Sequence, residues 1–262
     1  MKTFIPFLLV VPAIALALLF RPASAPAPAP NDAPAEAPAS GTPLAVLELF
    51  TSQGCSSCPP ADALLSELNE RAAAGEPIIA LSYHVDYWNY LGWKDPFSSP
   101  YFSARQTDYT ERLRARTYTP QLVVNGRSEL VGSRRGEVTA LVDRTLERAK
   151  ASIVPELTTR LTDGGVEAAF TLPEPLAGHR VSALLVQHHA RSAVKRGENR
   201  GRDLSHHNVV RTLEHAPATA NGSFTLALPA GLTAGDVAVV LLVQDEDSHA
   251  IVGAARAVLT AR

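Results

Sequence analysis

The stretch TSQGCSSCPPAD, residues 51–62, holds the only two cysteines of the chain, Cys55 and Cys58. Its flanks constrain the fold more than the sulfurs do. Upstream runs LAVLELF, residues 44–50, a short apolar run that reads as a buried strand. Downstream, Pro59 and Pro60 fit the first turn of a helix, where the missing N–H is not needed. Leu64, Leu65 and Leu68 then form a helical stripe that Gly75 ends. The segment therefore reads strand, tight turn, helix, with Cys58 near the N-cap. Pro59 biases Cys58 away from helical angles. Cys55 stands beside the positive end of the helix, which favours a thiolate. This predicts that Cys55 is the more exposed, attacking sulfur and that Cys58 resolves the mixed disulfide.

The amino end bears on the redox state of such a pair. Lys2 precedes an apolar run, residues 4–20, broken by Pro6 and Pro12, and Ala23-Ser24-Ala25 is a small-x-small cleavage pattern. Residues 1–25 read as a secretory signal peptide, and no cysteine near the cleavage point suggests a lipoprotein. Residues 26–43 are rich in Pro and Ala and read as an extended linker. The expected location is extracytoplasmic, secreted or periplasmic, with no stable membrane insertion after cleavage. There a C-x-x-C rests as a disulfide. Without Lys2 and Arg21, the 24 basic residues become 22 against 26 acidic ones, a charge of 22 − 26 = −4. That balance makes no electrostatic case for nucleic acid.

Three uses of the cysteines stay open. A closed zinc site needs four ligands, and there is no second Cys pair. The paired histidines, His188-His189 and His206-His207, lie more than a hundred residues away. Two thiolates with one histidine would suit copper, so a non-catalytic or metal-delivering module remains the alternative to a redox dithiol. A purely structural staple closes only a two-residue loop and stabilises little. No resident metal and no cofactor are expected. The expected partners are protein or small-molecule thiols and disulfides.

Past residue 77, a buried strand runs to Tyr83 and breaks into a loop with Tyr87, Trp88, Tyr90 and Trp93. His84, Asp86, Lys94 and Asp95 are interleaved. If the strand is parallel to its neighbour, the loop leaves on the side of the sulfurs. It then reads either as an aromatic wall for a substrate, with His84 or Asp86 moving protons, or as a packed brace. Ser98-Ser99-Pro100 starts a helix to about Arg116 whose charges read as a solvated face. QLVV and SELV around Asn125-Gly126 form a hairpin signal, and a helix follows over residues 134–150. Residues 151–262 hold seven short strand patterns, which suggest an antiparallel β-sandwich. Between them, residues 191–207 form a long polar loop of the kind that is often functional.

The strand–C-x-x-C–helix resembles the thioredoxin-like superfamily, and LFTSQGCSSC is similar to its glutaredoxin branch. The order over residues 44–150 fits the same superfamily. The resemblance implies a cis-proline beside the dithiol, here Pro120 after Thr119, lining a substrate groove. A narrower resemblance rests on GCSSCPPAD, YHVDYWNYLGWKDPFSS, YTPQLVVNG and GENRG: together they look like the DUF1223 family. It implies an α/β thioredoxin-like domain at 44–150, and the strand patterns add a sandwich-like all-β domain at 151–262. The suspected role is that of a thiol–disulfide oxidoreductase. Cys55 and Cys58 would be catalytic, and Thr119, Pro120, Trp88, Trp93, His84 and Glu198 would contact substrate. The aromatic loop and the 195–202 segment are both expected to flank Cys55. The buried acid of thioredoxins has no firm counterpart, although Glu48 stands near the place.

Overall fold

The computed structural model describes Met1 and residues 44–148, 151 and 153–259; the expected leader and linker lie outside the described residues. The first half runs β1 (Ala45–Thr51), α1 (Pro59–Ala73), β2 (Ile78–His84), α2 (Pro100–Leu113), β3 (Gln121–Val124), β4 (Ser128–Val131) and α3 (Arg135–Arg148). Seven strands follow: β5 (Glu156–Thr162), β6 (Gly165–Thr171), β7 (His179–Ala193), β8 (Asp203–Pro217), β9 (Asn221–Leu226), β10 (Val237–Asp245) and β11 (Ile251–Val258). No described helix is long and apolar enough to cross a membrane.

The fold is mixed α/β, built on one large sheet of eight strands in the order β11-β10-β7-β8-β2-β1-β3-β4. β1 and β2 pair in parallel, and β3 lies antiparallel to β1. The expected sandwich does not stand apart. Four of its strands continue the first half's sheet through the parallel pair β2–β8, where Ser82 faces Val209. Among the described residues, only β5, β6 and β9 form a second sheet. The reason is that β2 is buried along its whole length, so neither of its edges can face water unpaired. β1 covers one edge and β8 the other.

Side-chain alternation sorts the sheet's two faces. Leu64, Leu65 and Leu68 of α1, with Val138 and Val142 of α3, pack on Leu47, Leu49 and Leu122. On the opposite face, Phe102 and Tyr109 of α2 pack with Phe50 and Tyr83, and the same core continues into Leu184, Val186, Val210 and Leu242. The small sheet lays Leu157, Val166, Phe170 and Phe224 against Val181, Leu185, Val239 and Leu241. Each fully buried side chain of this kind contributes about 1.5–3 kcal/mol. The β3–β4 turn has positive φ at Asn125 (49°) and Gly126 (64°), as Asn-Gly turns require. A Cβ on Gly126 would also run into the His249 carbonyl.

One expectation on charge is corrected: α2 is not simply a solvated face. Glu48, which stands near the place of a buried acid, points inward. Arg105 Nε donates to Glu48 Oε1 at 2.7 Å, and the Tyr109 hydroxyl donates to the other carboxylate oxygen. Glu48 and Arg105 are buried together. Two opposite charges facing each other across a core can be buried where either alone could not.

Candidate active site

Cys55 and Cys58 are joined in a disulfide, with Cα atoms 5.5 Å apart. The turn is also closed by its backbone: Cys55 N–H donates to Ser52 O, and Cys58 N–H to Cys55 O. Cys58 is the N-cap of α1, at the expected position, but its φ of −77° and ψ of −38° are helical. The closed turn outweighs the bias from Pro59. The expected difference in exposure between the sulfurs is absent, since Cys55 and Cys58 are both fully buried.

What covers them is the tip of the β7–β8 hairpin. Asn199 is buried, and its Nδ2 donates to Gln53 O at 2.9 Å and to Cys55 O at 2.8 Å. Glu198 Oε2 accepts from Ser56 N–H at 2.9 Å. Hydrogen bonds from the Ser56 hydroxyl and N–H hold the Glu198 carboxyl below the usual carboxylate range. The long polar loop is shorter than expected, because residues 191–193 and 203–207 belong to strands of fifteen residues each.

The aromatic loop closes the other side. Trp88 Nε1 donates to Thr119 Oγ1 at 2.8 Å, and Trp93 Nε1 donates to Gln53 Oε1 at 2.9 Å. Gly54 lies so close that a Cβ there would come within 3.0 Å of Trp88 Cβ. Both indoles therefore act as braces on the turn, while Tyr90 faces outward. The Thr119–Pro120 peptide bond is cis. The exposed Ser57 places its Oγ 3.3 Å from Cys55 Sγ and 3.5 Å from Thr119 O. Asp86 is tied instead to α2, where its carboxylate accepts from Ser103 Oγ at 2.6 Å.

Behind the turn lies a polar cluster. Asp95 Oδ2 accepts from Gln53 N–H at 2.8 Å and from His84 Nδ1 at 2.7 Å, with both ionisable side chains fully buried. Burial alone would raise the Asp95 carboxyl, but His84 and two backbone N–H groups outweigh it and hold it low. Gln53 Nε2 reaches Ser192 Oγ at 2.9 Å and His206 Nε2 at 3.2 Å. His206 Nδ1 lies 3.7 Å from Asp62 Oδ2 on α1. The imidazoles of His84 and His206 meet edge to face, 4.6 Å between centroids. Of this cluster, sequence reasoning named only His84 as a site residue. Asp62 carried a local signal, one helical turn past Cys58. Ser192, Asn199 and His206 fall in the 191–207 stretch read as a functional loop, but nothing local singled them out, since the second half's hairpin delivers them.

The family description "Protein of unknown function (DUF1223)" matches residues 46–244. The chain belongs to the DUF1223 family. The matched span holds the cysteine turn, the aromatic loop and the hairpin tip. A crystal structure of a protein from Agrobacterium tumefaciens resembles this DUF1223 chain with a TM-score of 0.62 and 27% identity, covering 83% of this chain and 95% of that one. HBP35 of Porphyromonas gingivalis has a TM-score of 0.61 at 16% identity, covering 84% and 76%, a likeness of fold alone. Comparison with curated proteins finds no match.

Proposed function

We propose that this DUF1223 protein is an extracytoplasmic thiol–disulfide oxidoreductase whose first half is thioredoxin-like. The observation that carries the reading is the Cys55–Cys58 disulfide between a central strand and the N-terminus of α1. The strand order β2-β1-β3-β4 and the contact of Ser57 with Thr119 support the thioredoxin-like part. In the reduced protein, the helix end stabilises the Cys55 thiolate, which attacks a partner's disulfide. Cys58 then attacks Cys55 Sγ, the mixed disulfide breaks, and the partner leaves reduced. Thr119, Pro120 and Ser57 border the entrance, and Glu198 and Asn199 restrict it. Partners must therefore displace the hairpin tip or reach the sulfurs past it.

The test is trapping. Cys58→Ala, once reduced, is expected to accumulate a mixed disulfide with a protein disulfide, read by mass spectrometry, and Cys55→Ala is expected to give none. Trapping by Cys55→Ala alone would reverse the roles. No adduct with either variant would leave the pair a structural staple.

A further inference from the structure

Resting on that reading, we propose that Asp62 and His206 form a buried acid–base pair that returns a proton to Cys58 Sγ when the disulfide opens. The two residues come from distant parts of the chain, α1 and β8, and meet behind the cysteine turn with their ionisable atoms 3.7 Å apart. Cys58 has helical angles and its carbonyl accepts from Asp62 N–H at 3.1 Å. Residues spaced i,i+4 share a helix face, so Asp62 stands on the sulfur's side of α1. Both members are buried, and neither Asp62 Oδ1 nor His206 Nδ1 has a hydrogen-bond partner among the described residues. Buried polar groups are nearly always satisfied, so three such atoms in one cluster, His84 Nε2 being the third, mark groups kept for exchange.

Hydrogen-bond chemistry fixes the resting state. Indole N–H can only donate, so Gln53 turns Oε1 to Trp93 and its NH2 to Ser192 and His206. An amide N–H aimed at Nε2 requires a lone pair there. The neutral ring therefore carries its proton on Nδ1, facing Asp62. The surrounding charges favour a second proton. Burial works against an imidazolium, but the Asp62 and Asp95 carboxylates outweigh it and raise His206 above its ordinary range. Protonating Nε2 obliges the Gln53 amide to release it, which ties proton uptake to the turn that holds Cys55. The other titratable groups around the pair are His84 of β2, Asp95 of the aromatic loop and His207 of β8, with Arg211 of β8 acting on Asp95.

The step balances as follows. A thiolate of an external dithiol attacks Cys55 Sγ and forms the mixed disulfide, while the Cys55–Cys58 bond breaks and its electron pair stays on Cys58 Sγ. The imidazolium passes its Nδ1 proton to Asp62 and on to that sulfur. The dithiol's second thiolate then closes its own disulfide and releases Cys55, which takes a proton from solvent. His206 regains its proton from solvent, so the dithiol loses two electrons and releases two protons to solvent, and the cysteine pair gains two electrons and two protons.

The test reduces the purified protein with dithiothreitol across roughly pH 4–9, the range in which carboxylates, histidines and thiols titrate. The rate is read from Trp88 and Trp93 fluorescence and divided by the fraction of dithiothreitol thiolate. In the parent, the corrected rate is expected to stay high while His206 is protonated and to fall as pH rises through its raised value. Asp62→Asn and His206→Gln are expected to lower the plateau about tenfold and to flatten the profile. That is less than the ~10²–10⁴ typical of positioned acids and bases, because a thiolate leaves readily. His189→Gln, on the same hairpin, should change neither. Nitrogen NMR of the parent needs no variant: the His206 ring signals are expected to shift on reduction at constant pH. Superimposable profiles in folded variants, or His206 signals indifferent to reduction, would overturn the proposal. The oxidoreductase reading fails separately, if dithiothreitol reduction keeps this pH dependence while no protein disulfide is turned over.

Discussion

At the scale of single residues, buried charge gathers in two places among the described residues. Glu48 and Arg105 form one pair, closed by Tyr109 and Gln244. Arg105→Leu leaves a carboxylate uncompensated in the core and is expected to cost about 3–5 kcal/mol, read as a lower urea midpoint. The second place is the cluster behind the cysteines, which titrates in two directions. Asp95 is held below its ordinary 3.8. The stability it contributes is present above that value and is lost as pH falls through its lower folded value. His206 is raised above its ordinary 6.5, so its contribution is complete below that pH and is lost as pH rises through the folded value. Thermal melting against pH should therefore give a plateau with a decline on each side. His206→Gln is expected to remove the alkaline decline only, and an unchanged alkaline side would rule His206 out as its source.

At the scale of elements, local chemistry was legible, and of the long-range placement only the approach of the aromatic loop and the 195–202 segment to the cysteine turn was. The prolines and leucines of α1, the Asn-Gly turn and the alternation of the later strands each sit where their periodicity indicates. The β7–β8 hairpin shows why the remainder was hidden. Its strands run into a stretch that reads as a polar loop, because Ser192 and His206 face a polar cluster instead of an apolar core. Alternation is read from hydrophobicity, and here the inward positions are hydrophilic. Burial of Cys55 was missed because its cover, Asn199, lies 144 residues away in sequence. Asn199→Ala removes both N–H donors from the turn and should speed reduction of the disulfide by dithiothreitol while lowering the melting temperature, since two carbonyls lose their donor. Deleting residues 195–202 should speed reaction with a protein thiol more than with a small one, since surface loops shorten at small thermodynamic cost. Equal rates before and after the deletion would make the tip decoration.

At the scale of the whole molecule, the two halves share one sheet and one of its cores. A fragment of residues 44–150 would expose the β2 edge and the apolar side chains that meet Leu184, Val186 and Val210. It is expected to be insoluble or to lack proton chemical-shift dispersion, whereas a folded, dispersed fragment would mean that the halves are independent. The shared architecture lets the second half act on chemistry encoded in the first, through Asn199 as cover and His206 as acid. All of this depends on the disulfide being redox-active in the folded protein. The direct measurement equilibrates the folded, oxidised protein in graded thiol–disulfide buffers, alkylates it, and weighs the oxidised and reduced forms. The expected result is a reversible two-electron transition at a potential above about −300 mV, where exchange-active pairs fall, with the fold retained on both sides. A pair that stays oxidised until the protein unfolds would contradict it and leave Cys55–Cys58 a structural bond.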